Sequence, residues 1–163
     1  MPERKNIVSN FDVVRFSFAD YFRMVQSRVH ELAQPLSTEQ LWHNPYPYGN
    51  SIANLIQHLT GNLNYYLGTQ IAGTGYVRHR DQEFDQSGHG RSKAELLSAF
   101  DDAIAVCVRT VSAQSDGDWS APYQAELVDG KTRFQQILAC ASHAYHHVGQ
   151  MIYLQRELLR EGG

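Results

Sequence analysis

His143 and His147 stand four residues apart in the run His143-Ala-Tyr-His-His147, within a stretch of strongly helical character. Four residues is just over one helical turn, so the two imidazoles lie on one face, one above the other. That spacing lets a helix offer two nitrogen ligands to a single metal ion. A third histidine, His58, lies on another predicted helix with amide side chains on its own face. Three neutral imidazoles from two helices would hold a divalent metal (Zn, Ni or Fe) and leave positions open for water or substrate. A water in such a position loses a proton near neutral pH and becomes a nucleophile for hydrolysis.

The surroundings favour a site over plain core. His143 has Ala139 and Cys140 one turn before it, and His147 has Gln150 and Met151 one turn after. This face mixes small, soft and polar groups, and small residues leave room beside an imidazole. On the other helix, His58 has Asn54 and Asn62 one turn to either side, with Tyr65 a turn further. The remaining positions there hold Ile52, Leu55, Ile56, Leu59 and Leu63. The polar face is then either solvated or the wall of a polar cavity. In the second case Asn54, Asn62, Tyr65 and Gln150 are candidates to support the ligands or face a substrate. His146 projects about 100° away from His147 and reads as a surface or interface histidine. Cys140 either approaches the site or is an inert buried thiol, the latter favoured. His79 and His89 fall in a polar loop where exposure is the default. No catalytic residue is assigned.

Four long helical segments must position these groups. The first covers about 10–33, with Phe11, Val14, Phe18, Phe22, Val25, Val29 and Leu32 repeating at threes and fours behind a capping pattern at Ser9. Ser37-Thr-Glu-Gln40 opens a short turn through Trp42. Asn50 or Ser51 caps a helix over about 51–72 that Gly73 and Gly75 stop. Residues 73–91 read as a long loop, and Ser92-Lys-Ala-Glu95 caps a helix over about 92–113. An extended excursion or small hairpin follows, with Asp129-Gly130 as its turn. Thr132-Arg-Phe-Gln135 then caps a helix reaching about residue 160. Helices of about 20 residues run ~30 Å each, the dimensions of an all-α four-helix bundle. The absence of strand–helix alternation argues against a parallel sheet.

The chain has 163 residues with 42% hydrophobic content, so it is expected to fold as one domain over 1–163 with a substantial core. Its two cysteines fit a reducing, cytoplasmic setting better than a disulfide framework. Net charge is −3 with no basic cluster, which argues against a nucleic-acid partner. No apolar run approaches the ~20 residues of a membrane span.

Asn50-Ser-Ile-Ala-Asn-Leu-Ile-Gln-His58-Leu, followed by His143-Ala-Tyr-His-His147-Val-Gly-Gln150, resembles the DinB superfamily of four-helix-bundle proteins. Leu36-Ser-Thr-Glu-Gln-Leu-Trp42 and Arg78-His-Arg-Asp-Gln-Glu-Phe84 are similar to members as well. The likeness runs over about residues 10–158. It implies a three-histidine metal site on His58, His143 and His147. Relatives include bacillithiol S-transferases and mycothiol-dependent maleylpyruvate isomerases, in which the metal activates a low-molecular-weight thiol. The resemblance therefore implies thiol-dependent S-transfer to a small electrophile, ahead of metal-dependent hydrolysis, and a homodimer. Two other readings are a metal or small-ligand binding module without turnover, and a structural dimer with packed histidines.

Overall fold

A computed structural model describes residues 10–84, 90–125 and 130–161. The described chain is helical: α1 (Asn10–Ala33), α2 (Thr38–Trp42), α3 (Ile52–Leu63), α4 (Arg80–Glu83), α5 (Lys93–Ser112) and α6 (Arg133–Glu161). Helix α1 packs on α5 and α6, and α3 packs on the same two helices. The six helices thus close around one apolar interior. Its floor is Phe22, Val25 and Val29 of α1, Ile52, Ile56, Leu59 and Leu63 of α3, Phe100 and Ile104 of α5, and Val148 and Met151 of α6. These are the positions spaced by threes and fours, so periodicity and burial coincide. Phe11, placed by the same pattern, is 38% exposed.

Side-chain caps set the starts. Ser37, Ser51 and Ser92 each accept from the backbone N–H three residues on, and Gln40, Asn54 and Glu95 return the bond to the cap's own N–H. Thr132 and Gln135 do the same at α6, at 3.2 and 2.9 Å. Of the two candidates for α3, Ser51 is the cap. The capping pattern at Ser9 lies outside the described residues.

Two expected stretches differ in detail. The helix expected over 51–72 is α-helical only through Leu63 and then widens into a π-helical segment, Asn64–Thr69. Gly73 and Gly75 follow with φ of +66° and +73°, a left-handed backbone that disfavours side chains, and the helix cannot continue. The loop expected over 73–91 contains the single helical turn α4, although most of its residues are exposed. A 3₁₀ turn, Asp118–Ser120, seats Trp119 between Phe18 of α1 and Phe134 of α6. The excursion before α6 closes by antiparallel pairing: Tyr123 N–H donates to Lys131 O (2.8 Å) and Arg133 N–H to Ala121 O (2.9 Å). Asp129 of its expected turn lies outside the described residues. No described helix is long and apolar enough to cross a membrane.

Candidate metal centre

Helix α3 brings His58, and α6 brings His143 and His147, to one point. His143 Nε2 lies 3.2 Å from His58 Nε2 and 3.0 Å from His147 Nε2. All three ligand atoms fall within 4.8 Å of one another. His58 is buried, and the other two are half-buried. Burial pushes the His143 imidazole down to about 4, with His147 and His58 adding to the shift. His147 is also lowered by burial, against a hydrogen bond that Gln150 Oε1 accepts from it and that favours its charged form. Both rings are therefore neutral at pH 7 and carry a free lone pair.

That donor set fits a divalent cation. Two short nitrogen–nitrogen contacts meet at His143 Nε2, which carries at most one proton. With the protons of His58 and His147 on Nδ1, where Glu83 and Gln150 oxygens stand, both rings turn a bare Nε2 to His143, and its one proton cannot serve both. A cation at the centre relieves this. Imidazoles bound tetrahedrally at ~2.0–2.1 Å sit about 3.3 Å apart, close to the two spacings seen.

Behind the rings stands a second layer of partners. His58 Nδ1 is 2.8 Å from Glu83 Oε2, and His147 Nδ1 is 2.7 Å from Gln150 Oε1. His143 Nδ1 is buried without a hydrogen-bond partner. Arg78 grips both oxygens of Glu83, Nε to Oε1 at 2.6 Å and Nη2 to Oε2 at 2.8 Å. Burial alone pushes the Glu83 carboxyl up, but the bonds from Arg78 and His58 outweigh it and hold the group below its usual range.

The sequence-derived candidates fall into distinct places. Asn54, His58 and Asn62 are 1, 6 and 8% exposed, which excludes a solvated polar face. Asn54 is fully engaged: its Oδ1 accepts from Ser51, and its Nδ2 donates to the Glu83 carbonyl at 3.2 Å. Asn62, one turn beyond His58 on its face, has a buried Oδ1 without a partner. Tyr65 sits half-buried on the π-helical segment, its ring edge-on to Tyr66. Gln150 reaches His147. His146 is exposed and outside the cluster, and His79 is exposed near α4. His89 lies outside the described residues. Cys140 is buried, takes a bond from Gln136 Nε2 at 3.5 Å, and has its thiol pushed up to about 12 by burial.

Glu83 and Arg78 stand in the sequence only as parts of the family-like segment Arg78–Phe84, without a role at the site. One signal marked a close approach to α3 without naming the residue. Gly61 sits in the interior of α3, where glycine costs about 1 kcal/mol against alanine. A Cβ on Gly61 would lie 2.1 Å from Glu83 Oε1, so the carboxylate occupies the space a side chain would take.

Two cavities flank the centre. One of about 640 Å³ opens beside Glu83, between Gln57 and Thr60 of α3 and residues 76–83, and one of about 310 Å³ lies beside Gln150 and Leu55. Each includes one partner of an imidazole, Glu83 or Gln150, and neither is lined by the imidazoles themselves.

An all-helical protein with a convergent histidine trio is thus the class that fold and site define. The chain belongs to the family described as "Protein of unknown function (DUF1572)", whose model matches residues 8–162. A crystal structure described as the conserved protein of locus from Enterococcus faecalis matches with a TM-score of 0.74 and 15% identity, covering 90% of this chain and 97% of that chain. At that identity the likeness speaks to the fold alone. No curated protein matches the chain.

Proposed function

We propose that this protein is a metal-dependent enzyme of the DinB type, a four-helix bundle in which His58, His143 and His147 hold a divalent metal. Thiol-dependent S-transfer to a small electrophile is the favoured reaction. The convergence of three imidazole nitrogens from α3 and α6 carries the proposal. Zn, Ni or Fe held there would act as a Lewis acid, lowering the pKa of a thiol or water in its open position.

The residues of the chain divide the remaining work. Gln150 holds the His147 ring, and Glu83 holds His58. Asn62 keeps a buried acceptor without a partner one turn from His58. The sulfur must come from a second molecule: burial keeps Cys107 and Cys140 protonated, and no other cysteine exists. In the transfer, the thiol gives its proton to solvent, its sulfur forms a bond to the electrophilic carbon, and the leaving group departs with its electron pair. Hydrolysis is the second choice, because water can take the same open position. The two free thiols support a reducing, cytoplasmic setting. A homodimer is part of the proposal, supported by an exposed apolar groove between α1 and α6.

Untagged protein purified without chelators should carry close to one transition-metal ion per chain by elemental analysis. His147→Ala should lose both that metal and the conjugation of cysteine to monobromobimane above the uncatalysed rate. Full metal occupancy in His147→Ala would remove His147 from the ligand set. A metal-loaded wild type that hydrolyses esters but conjugates no thiol would favour hydrolysis.

A further inference from the structure

We infer that Glu83 is a positioning residue for the metal centre: clamped by Arg78 and seated against Gly61, it fixes the proton of His58 on Nδ1 and aims Nε2 at the ion. The inference rests on the metal-binding proposal above and extends it to residues outside the ligand trio.

Neutral imidazole carries one proton, on either nitrogen, and only the bare nitrogen binds metal. At His58 the surroundings decide which. Nδ1 has the Glu83 carboxylate oxygen at 2.8 Å and the Arg78 Nη2 at 3.3 Å. A carboxylate only accepts, so it draws the proton onto Nδ1. The guanidinium only donates and would favour the other tautomer, but Nη2 is already 2.8 Å from Glu83 Oε2, the closer partner. The carboxylate therefore prevails, and the Nε2 lone pair is left facing His143.

Three separate contacts hold Glu83 in place. Arg78 binds both carboxylate oxygens, and the pair is almost dry, with 10% and 7% side-chain exposure. Asn54, itself locked by its capping box with Ser51, holds the Glu83 backbone carbonyl. Gly61 leaves the pocket for Oε1, where a methyl group would overlap it at 2.1 Å. Carboxylates behind ligating histidines fix ring orientation and basicity, and their loss costs about 10–100-fold in metal affinity.

The test has a metal-free arm and a metal arm. Long-range ¹⁵N–¹H correlation spectra of metal-free wild type should show the His58 ring, identified by its absence in His58→Gln, as the Nδ1–H tautomer. In Glu83→Ala that bias should vanish. Zinc affinity, measured by competition with a chromophoric chelator, should fall roughly 10–100-fold in Glu83→Ala. Gly61→Ala, which keeps the carboxylate but fills its seat, should fall similarly, and Glu83→Gln, which keeps an acceptor, should fall less. Helical circular dichroism reports folding of each variant. An Nε2–H tautomer in the wild type overturns the inference without any variant, as does unchanged zinc affinity in a folded Glu83→Ala. If His58→Gln also leaves zinc affinity unchanged, the metal-binding proposal itself fails.

Discussion

The three imidazoles differ in what stands behind them: a carboxylate at His58, an amide at His147 and no partner at His143. Spacing alone set His143 and His147 on one face, because helix geometry is local and periodic. The asparagines around His58 marked a polar face but not its purpose, and their burial separates them into a structural pair (Asn54 with Ser51) and an unpaired acceptor (Asn62). Glu83 was not legible, because its contact with His58 depends on how residues 76–84 fold back over α3. The same scale decides the cysteines. Cys107 is fully buried with its thiol pushed well above its ordinary value, and Cys140 stands near 12. Both are protonated at pH 8, and the thiolate is the reactive form. Folded protein at pH 8 should therefore react with 5,5′-dithiobis(2-nitrobenzoate) far more slowly than protein in guanidinium, which should release two equivalents. Rapid native release of even one equivalent would return a protein thiol to the candidates for catalysis.

At the scale of elements, the capping boxes made the starts of α2, α5 and α6 readable to within a residue, since a cap is a short-range bond written in a four-residue pattern. The widening of α3 into a π-helical segment was not readable. It registers a packing requirement, and the apolar spacing through Leu67 is compatible with either helix. The turn α4 was hidden for the opposite reason. Its four residues are all polar, and what holds it is the buried Glu83 rather than an amphipathic stripe. These caps differ in consequence. Ser92→Ala removes one partly exposed cap and should cost about 1 kcal/mol. Ser51 is buried, and Ser51→Ala also strips one of two donors from the buried Asn54 Oδ1, adding about 1 kcal/mol. Urea denaturation of metal-free protein should therefore rank Ser51→Ala clearly below Ser92→Ala. Equal losses would mean that the α3 box is no more than an ordinary cap.

Across the whole molecule, apolar surface is distributed unevenly. The packing of α1 and α3 against α5 and α6 consumes the interior faces, yet Val13 and Phe16 of α1 remain 58 and 66% exposed, and Leu138 of α6 is 47% exposed. Val13 and Leu138 line a groove of about 330 Å³ that continues over Val14, Phe18, Tyr21 and Phe134. A contiguous apolar groove of this kind marks an interaction surface more often than scattered exposed residues do. In the proposed homodimer a second copy covers it, and a two-fold axis presents the same groove on both chains. Such a contact needs roughly 800 Å² from each partner, more than the groove alone supplies, so the flanking Phe16 and Tyr145 would have to be included. Leu138→Glu isolates this assembly from folding, because the side chain is already half in water and a charge there costs the single chain little. Sedimentation at micromolar concentration should show a wild-type dimer and a Leu138→Glu monomer with unchanged helical circular dichroism. A wild type that sediments as one chain would leave the groove free for another partner and remove the dimer from the proposal.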